Sequence, residues 1–171
     1  MADKSTFTPD EWKRILGSTM LTGMVVTMAD RSSGLFGMLQ EGLASGNALA
    51  EAQGDPNTSA LVRAVVADFL TSEGRTAARE NIKAMLTGAS SAADAQAKAV
   101  NALKEVGALL DAKAPGDAPA FKAWLQSIGS RTAQAASEGG GLFGIGGVAV
   151  SESEKAALEQ IANALRPAAA A

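Results

Sequence analysis

Histidine and cysteine are both absent from this chain. Without them the Ser-His-Asp triad, the Cys-His dyad, the zinc-hydrolase motifs and the carboxylate–histidine di-iron sites cannot be assembled. Disulfides and thiolate metal sites are excluded as well. What remains is chemistry run by carboxylates, lysine, serine or an oxygen-liganded cation. Tyrosine is also missing and aromatics make up only 4% of residues. The core must therefore be built from Ala, Leu, Val, Ile and Met, whose small faces let helices approach closely. No apolar run nears the ~20 residues needed to cross a bilayer. The opening Met1-Ala2-Asp3-Lys4-Ser5-Thr6 has no apolar h-region or cleavage pattern, so no secretory leader is read and a cytoplasmic protein is expected. A net charge of −3 argues against a general affinity for nucleic acid, which needs clustered positive charge.

The chain has 171 residues, 47% of them hydrophobic and 19% charged, which suits one globular domain with a real core. Its strongest start signal is Thr8, an N-cap followed by Pro9 at the first helical position and by Glu11 closing a capping box. Phe7 and Trp12 can staple this end. Trp12, Ile15, Leu16, Met20, Leu21, Met24, Val25 and Met28 recur at helical spacing, so this helix is expected to be largely buried, with Gly17 and Gly23 admitting a close neighbour. A second helix is read through Leu35, Phe36, Met38, Leu39, Leu43 and Leu49, stopped by Gly54-Asp55-Pro56-Asn57. A third carries Leu61, Val62, Val65, Val66, Phe69 and Leu70 to a break or bend at Thr71-Ser72-Glu73-Gly74. A fourth carries Ile82, Met85 and Leu86 and ends at Gly88. Ser91 with Asp94 opens a fifth that stops at the Pro115–Pro119 loop; a sixth carries Phe121, Trp124, Leu125 and Ile128; and Ser151 with Glu154 opens the last. The expectation is an all-α, compact bundle of six to seven helices in a single domain over 1–171, ordered from 7 to 167, with 1–6 and 168–171 frayed.

Four features compete for a functional reading. The glycine-rich stretch 139–150 matches G-x-G-x-x-G at Gly139, Gly141 and Gly144, but it lacks the βαβ context of a dinucleotide site and the Lys-Ser/Thr of a phosphate loop. Its Leu142, Phe143 and Ile145 are candidates for a partner or self-association contact; otherwise they fold back and cap the bundle. A lipid contact is disfavoured by the acidic neighbours Glu138, Glu152 and Glu154. Met20, Met24, Met28 and Met38, with Leu39, are candidates to line an inter-helix apolar pocket, the alternative being ordinary core. Arg75, Arg79 and Lys83 lie four apart and form a candidate anion contact, the alternative being a solvated face. Among the acids, Asp68 falls off the apolar stripe of its helix and is read as exposed. No catalytic, cofactor-binding or metal-ligating residue is assigned, and no cofactor is expected.

The run Phe7-Thr8-Pro9-Asp10-Glu11-Trp12, followed by Ala29-Asp30 and Ser33-Gly34-Leu35-Phe36-Gly37, resembles the opening of a family of small uncharacterised bacterial helical proteins. That resemblance implies a bacterial, soluble, helical chain. The first-helix-then-Ala-Asp arrangement is also similar to TerB-like helical domains, with Arg31-Ser32-Ser33 where those carry Gly and an acidic restart. By composition, the alanine-rich helices, low aromatic content and alanine tail resemble phasins, which implies association with a granule or membrane surface. Together these readings favour a non-enzymatic module that binds a protein partner or itself. The alternative is a carrier of a small apolar ligand or lipid.

Overall fold

The computed structural model describes residues 1–29, 52, 58–139 and 150–167. Among them are six α-helices and no strand: α1 (Pro9–Ala29), α2 (Ala60–Phe69), α3 (Ser72–Leu86), α4 (Ala92–Lys113), α5 (Ala118–Gly139) and α6 (Glu152–Ala164). No described helix is long and apolar enough to cross a membrane. The helix read through 33–49 lies outside the described residues.

The helix ends follow local chemistry. Glu11 Oε2 accepts from the Thr8 N–H at 2.8 Å while the Glu11 N–H reaches the Thr8 hydroxyl at 3.3 Å, closing the capping box at α1. The same reciprocal pair forms between Ser151 and Glu154 at α6. The Ser91 hydroxyl caps α4 through the Asp94 N–H. Phe7 packs on Trp12 with ring centroids 6.0 Å apart, completing the staple. Gly88 takes φ +74°, a left-handed conformation in which a side chain is strained, and this ends the α3 segment.

The first helix is the axis of the bundle. Every residue from Ile15 to Gly23 is buried, and α3, α4, α5 and α6 all pack against it. A helix covered all round must satisfy its polar side chains internally. Ser18, Thr19 and Thr22 do so by donating to the carbonyls of Ile15, Leu16 and Ser18, at 2.6, 2.8 and 2.8 Å. Gly17 meets α3 closely: a Cβ there would sit 2.7 Å from Asn81 Oδ1.

Contacts between the ends fix the directions. Gln96, near the start of α4, donates to the Val25 carbonyl at the far end of α1, and Lys113, at the end of α4, pairs with Glu11 at the near end. Thus α4 runs antiparallel to α1. In α5, Gly129 faces Thr22 of α1 and both Leu158 and Ile161 of α6.

Within residues 1–6, Ala2, Asp3 and Lys4 make hydrogen bonds or ion pairs, while Met1 is fully exposed. The side chain of Asp3 caps a 3-10 turn at Lys4–Thr6, the Ala2 N–H donates to Asp117 Oδ2 at 2.8 Å, and Lys4 pairs with Asp68 at 2.9 Å. The polar opening finds its partners on α2 and on the turn before α5, contacts too distant in sequence for local pattern to reveal. Residues 168–171 lie outside the described set.

Candidate functional site

At the near end, around the start of α1, Asp68 is not the exposed acid its helical period suggests. Its side chain is 17% exposed, and Oδ2 accepts from the Trp12 indole N–H at 2.6 Å and from Lys4 Nζ at 2.9 Å. Burial pushes this carboxyl up, but the indole donor and the Lys4 ammonium outweigh that, and the net effect lowers it from the usual 3.8. A carboxyl lowered in the folded state contributes stability that is complete above its unfolded value, and that contribution is lost as pH falls through the folded value. Asp68→Ala is therefore expected to cost about 2 kcal/mol at neutral pH, because the buried indole N–H loses its acceptor. The part of the gap that comes from the carboxylate charge should shrink as urea-unfolding midpoints are followed below about pH 4, and the part that comes from the lost acceptor should remain. A gap that stays constant with pH would show that the carboxylate charge contributes nothing. The Asp68 arrangement joins α1, α2 and the N-terminal turn, and it holds structure together.

Of the basic row, Arg75 has hydrogen-bond partners at the end of α2. Arg75 Nη1 donates to the Leu70 and Phe69 carbonyls at 2.6 and 3.3 Å, closing the end of α2. Its guanidinium is thus committed to backbone, where a cation complements the negative helix end. Arg79 and Lys83 are exposed on α3 without it.

Among the methionines, Met20 belongs to the core at 8% exposure, and Met24 is half-buried against it. Met28 lines a cleft. Met38 lies outside the described residues, as do Leu142, Phe143 and Ile145.

That cleft opens at the far end of the bundle, between the end of α1 and the starts of α4 and α6. Its volume is about 240 Å³, and its walls are Met28, Ala29, Ala92, Ala93, Gln96, Ser153, Ala156, Ala157 and Gln160. The alanines make room because their side chains end at Cβ. Gln96 Nε2 bridges the walls, donating to the Val25 carbonyl and to Gln160 Oε1, both at 3.4 Å. Those bonds are long for N–H···O geometry. Among the described residues the walls offer apolar surface, two amides and the Ser153 hydroxyl. Among the described residues, no group of three or more acidic side chains is placed to hold a metal ion.

Sequence reasoning also missed Lys122. Its side chain is 7% exposed, and Nζ donates to Asp111 Oδ1 across the α4–α5 junction at 2.6 Å. A signal was present: Lys122, Leu125, Gly129 and Thr132 or Ala133 follow helical spacing, and all are buried. Asn81 Oδ1 and Trp124 Nε1 are buried without a hydrogen-bond partner among the described residues.

No family model, curated protein or solved structure matches this chain.

Proposed function

We propose that this protein is a non-enzymatic helical binding module, whose far-end cleft takes an uncharged occupant. The observation that carries this reading is the lining of the cleft. A hollow walled by alanines, one methionine and two loosely paired glutamine amides can hold an apolar group and answer a neutral polar one. The apolar and amide character of the described walls favours a peptide-like or amphiphilic partner. Met28 in the wall gives specific support to a second form of the same reading, a carrier of a small apolar ligand, because a thioether adapts to irregular shapes. Self-association is the remaining form. Large apolar side chains exposed on the described surface are few, Leu70 at 49% among them, so the contact it requires is assigned to Leu142, Phe143 and Ile145. The setting proposed for all three forms is the cytoplasm.

Native mass spectrometry after gentle purification tests this reading, with wild type compared to Gln96→Glu/Gln160→Glu and to Leu142→Ser/Phe143→Ser. Gln160 is exposed and Gln96 half-buried, so the acidic pair is expected to fold and to charge the cleft walls. A small-molecule adduct on wild type that the acidic pair loses identifies a carrier. A doubled mass that the acidic pair or the serine pair abolishes identifies self-association. Bare monomer for all three proteins at every concentration, with no adduct, overturns the carrier and self-association forms.

A further inference from the structure

We draw no further inference here: the strongest candidate beyond the cleft already described, the uncharged outer face of α5 formed by Ala120, Ala123, Gln126 and Ser130, is an exposed stripe of small residues, and nothing in the structure shows what covers it.

Discussion

Alanine at Gly74 is expected to destabilise the protein by about 3 kcal/mol, because there is no room for one more carbon at the corner between α2 and α3. A Cβ built there lies 2.0 Å from the Asp68 carbonyl oxygen and 2.6 Å from its carbonyl carbon. Both are backbone atoms, so no rotamer change relieves the overlap. The corner is also tied by Thr71, which caps α3 through the Gly74 N–H at 2.9 Å and returns its hydroxyl proton to the Asp68 carbonyl at 2.6 Å. Moving Asp68 would disturb its bonds to Trp12 and Lys4 as well. Gly116→Ala is the control, since nothing lies within 4 Å of its Cβ position. That change should be neutral, or stabilise by roughly 0.5 kcal/mol by restricting the unfolded chain. Guanidinium unfolding of the two variants decides the matter. Equal midpoints would mean that the corner opens at little cost.

The pair of Lys122 and Asp111 carries the second large effect, and the effect is asymmetric. Asp111→Ala leaves an ammonium in a site only 7% exposed and should cost about 3 kcal/mol, toward the low end for a broken buried pair because Asp111 itself is 33% exposed. Lys122→Met removes the charge and keeps the length of the side chain; it should be neutral or mildly stabilising. The double variant should then be close to Lys122→Met alone, since the carboxylate matters only while the ammonium is there to be answered. Calorimetric melting of the three proteins reads this directly. If Lys122→Met were as damaging as Asp111→Ala, the pair would be contributing net stability of its own.

These two sites also mark where reading the sequence succeeds and where it stops. The capping boxes at Thr8–Glu11 and Ser151–Glu154 were legible because every partner lies within three residues. The burial of α1 was legible because its apolar positions recur with the helical period. The six described helices fall within the expected all-α bundle of six to seven. Asp68 was misread because its partners, Trp12 and Lys4, are 56 and 64 residues away, and an off-stripe position says nothing about a second helix or the chain terminus arriving there. Arg75 was grouped with Arg79 and Lys83 on spacing alone, although the carbonyls at the end of α2 take its guanidinium. Of the cleft's walls, Met28 is the one residue that the sequence also marks as a candidate pocket residue. The other walls are mostly alanines and glutamines, which carry no chemical signature until three helix ends are brought together.

The axial helix has one further consequence, which concerns the order of synthesis. Its buried run, Ile15 to Gly23, precedes in the chain every helix that packs on it, and α6 is complete only at Ala164. At roughly 5–20 residues per second, that span takes on the order of ten seconds to emerge from a ribosome. Throughout that interval the segment that will be most deeply enclosed is without its full cover. The growing chain is therefore at its stickiest when it is least finished, and α6, among the shortest helices of the bundle, is the last described helix to close over it.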